Sequence, residues 1–201
     1  MAAIAAFILA GGESSRMGRT KALLELGGEP LILRTARLVE EAAGKPTIVG
    51  PRDTFQGFGL NCVEDEWPGA GPLGGIATAL GASSADWNLV VACDLPYLTK
   101  EWLEYLAARA KASPADAVIP ENERGAEPLC AFYGKRGERA IREALERGVR
   151  KVTDGLAGIA VERIARVEWK SFDSDGLLFK NMNFPMDYEE AKARLGGRES
   201  S

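Results

Sequence analysis

The chain has 201 residues, 46% hydrophobic and 27% charged, the balance of a globular protein with a sizeable core. A net charge of −4 excludes a general affinity for nucleic acid, and the complete absence of histidine excludes histidine bases and histidine metal ligands. Cys62, Cys93 and Cys130, the three cysteines, sit in apolar strand-like contexts without metal-ligand spacing and read as reduced core thiols.

In chain order, the apolar run 4–9 predicts a first buried strand that breaks into a glycine-rich loop. Gly27-Gly28-Glu29-Pro30 is a turn, and Leu31, Leu33, Leu38 and Val39 carry helical spacing up to Gly44, which ends the helix. Residues 47–49 and 60–63 read as the next strands, and 73–81 as a helix packed on small residues. The run 87–93 is apolar on both faces, the pattern of a central parallel strand, and it terminates in Asp94. Thr99 is placed to cap a helix whose apolar face carries Trp102, Leu103 and Leu106. Strands are predicted over 116–120 and 128–133, with 121–127 as an exposed loop between them. A charged amphipathic helix over 138–147, a short helix from 150, a strand over 159–169 and a closing helix over 187–195 complete the pattern. Such alternation implies an α/β fold: a three-layer, Rossmann-like, mainly parallel sheet with helices on both faces. With no linker, repeat or low-complexity run, residues 1–195 read as one domain and 196–201 as a polar tail. No apolar run approaches membrane-spanning length and 2–9 is too short for a signal peptide, so a cytoplasmic protein without membrane contact is expected.

The chemistry concentrates in Leu9-Ala10-Gly11-Gly12-Glu13-Ser14-Ser15-Arg16-Met17-Gly18-Arg19-Thr20-Lys21. Glycines after a strand let backbone N–H groups approach an anion, and Arg16 and Lys21 add a planar fork and a point charge where a triphosphate would lie. A glycine-rich turn is also a common connection in α/β proteins. The spacing is neither a Walker A loop nor a G-x-G-x-x-G fingerprint.

The string L-A-G-G-x-x-x-R-M-G-x-x-K resembles the signature loop of nucleotidyltransferases of the nucleotide-diphospho-sugar transferase fold. Glu64-Asp65, Gly71-Pro72-Leu73-Gly74-Gly75, Cys93-Asp94-Leu95-Pro96 and Asn181-Met182-Asn183-Phe184-Pro185-Met186-Asp187 follow in the order of one branch, the molybdenum cofactor guanylyltransferases. The resemblance runs from about residue 5 to about residue 192. The chain departs from that family at Thr20, Gly50 and Glu127, where an aspartate, a nucleotide-contacting asparagine and a basic or polar residue are more usual.

The resemblance implies a nucleotidyl transfer from GTP to molybdopterin with Mg²⁺ as cofactor, and leaves room for a protein that delivers or accepts the molybdenum cofactor. It places Leu9, Ala10, Gly11, Gly12, Arg16 and Lys21 on the triphosphate, with Arg16, Lys21 and Asp94 catalytic. Asp94 would hold the metal; Asp187 is a second acidic contact there or a cap of the last helix. Asp65 would accept from the guanine edge or a ribose hydroxyl, while Gly71, Pro72, Leu73 and Gly74 bring backbone to the base and Leu73 packs on its face. Arg150, Lys151, Asn181 and Asn183 are candidates for the pterin side; a solvated helix start and surface turns are their plainer uses. A cytidylyltransferase or another sugar- or lactate-phosphate nucleotidyltransferase of the same fold, and a non-catalytic nucleotide-binding scaffold, are the competing readings.

Overall fold

Strand β1 (Ile4–Leu9) sends Ala6 and Ile8 into one buried layer and Phe7 into the other, the period-2 alternation of a strand covered on both faces. The protein is described here from a computed structural model covering residues 2–11, 21–123 and 125–195. After β1 come the hairpin β2 (Glu25–Leu26) and β3 (Glu29–Pro30), α1 (Leu31–Ala43), β4 (Thr47–Val49) and α2 (Arg52–Phe55). Next are β5 (Asn61–Val63), α3 (Pro72–Gly81), β6 (Trp87–Ala92), α4 (Lys100–Ala112), β7 (Ala117–Asn122) and β8 (Gly125–Ala126). The chain closes with β9 (Cys130–Gly134), α5 (Glu138–Glu146), α6 (Val152–Gly155), β10 (Val161–Ile164), α7 (Arg166–Trp169) and α8 (Pro185–Leu195).

The main sheet has the order β10-β7-β9-β6-β1-β4-β5, with β8 paired to β7. Pairs β6–β1, β1–β4, β4–β5 and β7–β10 are parallel; β9 runs against both β6 and β7. Helices α1 and α4 cover one face, where Ile32, Val39, Trp102 and Leu106 are buried. Helices α3 and α5 cover the other through Ile76, Leu80, Ile141 and Leu145. Every residue of β6 is buried, as its two-sided apolar pattern predicts for a central strand.

Two predicted elements differ. The stretch 121–127 is not a bare loop: β7 continues through Glu121 and Asn122, which pair with Ala126 and Gly125 of β8 across a hairpin. The expected strand over 159–169 stops at Ile164 and turns into α7. There Glu168 accepts the Ala165 N–H at 3.1 Å, and Trp169 is buried with its indole N–H on the Glu121 carbonyl at 3.2 Å. A carboxylate three residues into the segment satisfies a helix start, which the β-branched and aromatic composition did not reveal.

Register fixes the position of the site. Leu9 pairs with Val49 and with Ala92, and Val49 pairs with Val63, so these four strands end in one row. Two residues beyond that row lie Gly11 after β1, Asp65 after β5 and Asp94 after β6. From β5 to β6 is three strand spacings of about 4.8 Å, so Asp65 and Asp94 stand roughly 14 Å apart along one sheet edge. The carboxyl ends of parallel strands are where open α/β sheets bind ligands.

Candidate active site

Asp94 lies two residues beyond β6, a strand buried at every position. Its main chain is pinned by the neighbouring Cys93 N–H on the Leu9 carbonyl (3.2 Å) and by the Met182 N–H on its own carbonyl (2.9 Å). Its carboxylate keeps 22% side-chain exposure, and Lys21 Nζ lies 3.4 Å from Oδ2. Burial pushes its pKa above the usual aspartate value, and the Lys21 ammonium only partly opposes this. Burial also pushes the adjacent Cys93 thiol up to about 12, so it carries no thiolate at neutral pH and is no nucleophile.

Lys21 also donates to Asn183 Oδ1 at 2.9 Å. The last segment is set by alternation: Met182 is buried with Leu26, Leu31 and Ala191, while Asn181 and Asn183 on either side are exposed. Lys21, Asp94 and Asn183 therefore converge. Asp187 lies beside them in sequence but is occupied otherwise. Its Oδ2 accepts the N–H groups of Phe184 (2.8 Å) and Asn183 (2.9 Å), which hold its pKa below the usual carboxylate range. This is the hydrogen bonding of a helix cap, at the start of α8.

At the β5 end, Asp65 Oδ1 accepts the Trp67 N–H and the Thr78 hydroxyl, each at 3.0 Å, and the Thr78 oxygen accepts the Glu66 N–H at 3.0 Å. The loop then meets α3 at Gly71, whose φ of 69° is left-handed and precedes Pro72 at the first helical turn. A Cβ on Gly74 would lie 2.9 Å from the Trp67 Cβ and 3.0 Å from its carbonyl oxygen, so this glycine lets the loop fold onto α3. Leu73 corrects an expectation. Its side chain is fully buried in the core between sheet and α3, so only its backbone is available to a base.

Gly11 lies against Gly50, where an added Cβ would stand 3.3 Å from both the Ala10 carbonyl carbon and the Gly11 nitrogen. A larger residue at 50 would have to push that turn away, a physical reason for the departure seen in the sequence. Leu9 and Ala10 lead into the turn, with the Ala10 N–H on the Val49 carbonyl at 3.0 Å. Gly12 and Arg16 lie outside the described residues. Arg150 and Lys151 are elsewhere engaged. Arg150 donates to the Leu145 and Val149 carbonyls at 3.0 and 2.9 Å, closing the end of α5, and Lys151 stands 3.9 Å from Asp154. Neither has a contact with Lys21, Asp94 or Asn183 among the described residues.

Sequence reasoning missed Thr78. Its signal was a single hydroxyl in an otherwise apolar helix, and it is 1% exposed.

A model of the MobA-like NTP transferase domain matches residues 6–161. The chain belongs to the MobA-like NTP transferase family. A probable molybdenum cofactor guanylyltransferase of Pelotomaculum thermopropionicum is 35% identical over 186 residues, covering 92% of this chain and 90% of that protein. One from Synechococcus elongatus is 38% identical over 193 residues, with 92% and 96% covered. Among solved structures, molybdopterin-guanine dinucleotide biosynthesis protein A of Archaeoglobus fulgidus superposes with a TM-score of 0.80 at 26% identity, over 94% of this chain and 97% of that one. The cytidylyltransferase of Thermus thermophilus, at 16% identity and a TM-score of 0.67, shares the fold. As a MobA-like NTP transferase the chain is a nucleotidyltransferase, on the nucleotide-diphospho-sugar transferase architecture expected for it.

Proposed function

We propose that this enzyme transfers GMP from GTP to the terminal phosphate of molybdopterin, in its molybdenum-loaded form, giving the guanine dinucleotide and pyrophosphate. The observation that carries the reading is the common height of Asp65, Gly11 and Asp94 along one sheet edge. That span of roughly 14 Å suits an extended nucleoside triphosphate, with its base toward Asp65 and its α-phosphate toward Asp94. Residues 1–195 act as one domain in this reading.

The acceptor phosphate is ionised at neutral pH, so no protein base and no covalent nucleophile is needed. One of its oxygens bonds to the α-phosphorus while the bond from that phosphorus to the bridging oxygen breaks, and the electron pair leaves on pyrophosphate. The protein supplies position and charge. Gly11, Gly12, Arg16 and Lys21 hold the triphosphate, and Arg16 and Lys21 receive the developing charge of the leaving group. Asn183 and Asn181 orient the acceptor phosphate, with Arg150 and Lys151 as more distant basic groups.

Asp94 fits a divalent cation: a hard oxygen donor, desolvated, facing the phosphate path, with one lysine at 3.4 Å as counter-charge. Mg²⁺ bound there would neutralise the phosphate oxygens and polarise the α-phosphorus. Asp187 would offer Oδ1, which accepts no hydrogen bond among the described residues, as a second contact while its Oδ2 caps α8. No helix among the described residues is long and apolar enough to cross a membrane, and the proposed compartment is the cytoplasm, where GTP and reduced thiols are available. A protein that hands over or collects the molybdenum cofactor is part of the same proposal.

Calorimetric titration with GTP, CTP, ATP and UTP, each with and without Mg²⁺, tests it. The expected result is a magnesium-dependent preference for GTP. Preference for CTP would replace the base assignment, and binding of none of the four would overturn the catalytic reading.

A further inference from the structure

We infer that Thr78 is a positioning residue for base selectivity: through its hydroxyl it fixes the Asp65 carboxylate so that a single oxygen, Oδ2, is left to read the nucleotide. The inference rests on the functional reading above and names what sets the specificity of that site.

The argument is a count of hydrogen-bonding sites. A carboxylate oxygen has about two acceptor directions. Both directions of Asp65 Oδ1 are filled, one by the Trp67 N–H and one by the Thr78 hydroxyl. Among the described residues Oδ2 accepts no hydrogen bond. Thr78 in turn has its donor on Asp65 and an acceptor site on the Glu66 N–H, and at 1% exposure its hydroxyl has no water to turn to. The arrangement is braced from outside by Arg142, which holds Glu66 at 2.8 Å and Glu138 of α5 at 2.9 Å. Helix α3 therefore templates the loop at two points one turn apart: Gly74 admits Trp67, and Thr78 holds Asp65 and Glu66.

The chemical consequence is specific. A carboxylate free on both oxygens can accept the paired N1–H and N2–H of guanine as a fork. With Oδ1 spent, Asp65 offers one strong acceptor in one direction; aimed at the N1–H and N2–H edge of guanine, it would meet on adenine the unprotonated N1 and the C2–H, whereas adenine's amino donor sits at N6, on the opposite side. Loss of the Thr78 hydroxyl frees Oδ1 and lets the carboxylate turn, so the direction of Oδ2 is no longer set.

The test compares magnesium-bound GTP and ATP affinities in wild type, Thr78→Val, Thr78→Ser and Asp65→Ala. Thr78→Val is expected to lower the GTP:ATP affinity ratio about tenfold, the size of one hydrogen bond to a charged group. ATP affinity and kcat at saturating GTP should stay within about threefold of wild type. Thr78→Ser, which keeps the hydroxyl, should restore the ratio. Asp65→Ala should narrow it at least as much as Thr78→Val, and adding Thr78→Val to Asp65→Ala should change it no further. Equal losses for GTP and ATP in Thr78→Val, an unrestored ratio in Thr78→Ser, or an unchanged ratio in Asp65→Ala each overturns the inference; the last holds even if Thr78→Val fails to fold. A wild type without GTP preference defeats the functional reading instead, so the two failures are distinguishable.

Discussion

Asp94 and Asp187 flank the same lysine, and the protein treats them in opposite ways. Asp94 is drawn out of water, is offered one ammonium at 3.4 Å, and has its pKa raised because burial outweighs that attraction. Asp187 is half-buried, takes two backbone N–H groups on one oxygen, and has its pKa lowered by them. The first carboxylate is left with unmet demand for positive charge; the second is largely satisfied by its own helix. The two aspartates thus divide into one whose charge is under-compensated and one that organises a turn.

The largest effect that would sharpen this contrast is on turnover. Replacing Asp94 with Ala should cut kcat about a thousandfold, since the site then loses its charged oxygen at the reacting phosphate. Replacing Asp187 with Ala should cost only a few-fold in steady-state assays of pyrophosphate release. A loss as deep as that of the Asp94 variant would move Asp187 from the cap to the metal. Stability should respond in the reverse order. Because the folded pKa of Asp187 is depressed, its contribution is present above the unfolded aspartate value and is lost as pH falls through the folded one. At neutral pH Asp187→Ala should therefore cost about 1 kcal/mol, the worth of a helix cap, and lower Tm by about 2–4 °C in a thermal scan.

The smallest effect concerns Asp94 alone. A raised folded pKa favours the protonated form, so its stabilising contribution is full below the unfolded value and lost as pH rises through the folded one. The ionised carboxylate is then a cost at neutral pH. Asp94→Asn should raise Tm by roughly 1–3 °C at pH 7 without metal or nucleotide, and the gain should shrink as the pH falls below the folded value and be gone below the unfolded one. A lower Tm for this variant at pH 7 would show that Lys21 satisfies Asp94 after all.

Most of the fold was legible because apolar periodicity is a direct image of burial. The two-sided run of β6 and the spacing of α1 needed no tertiary information. The extent of β7 and the switch from β10 to α7 were not legible: both depend on long-range partners, such as the Glu121 carbonyl that receives Trp169. In the site, the position of Asp94 just beyond a central strand could be read from the sequence. The burial of Leu73 could not, because an apolar residue among glycines looks the same whether it faces a base or a core. Nor could the commitment of Arg150 to the carbonyls at the end of α5, since a basic residue after a helix gives no sign of which way it folds back.

The bond from Lys21 to Asn183 joins residues 162 positions apart, and it does not stand alone. Tyr188 reaches the Glu25 carbonyl at 2.7 Å, and Met182 and Ala191 of the last segment pack on Leu26 and Leu31 near the beginning. The proposed reaction centre is thus a place where Lys21, near the start of the chain, meets Asn183, near its end. During synthesis the sheet can assemble as far as β10 while Lys21 and Asp94 still wait for Asn183. If the proposed roles hold, the groups assigned to the triphosphate are in place before those assigned to the acceptor phosphate.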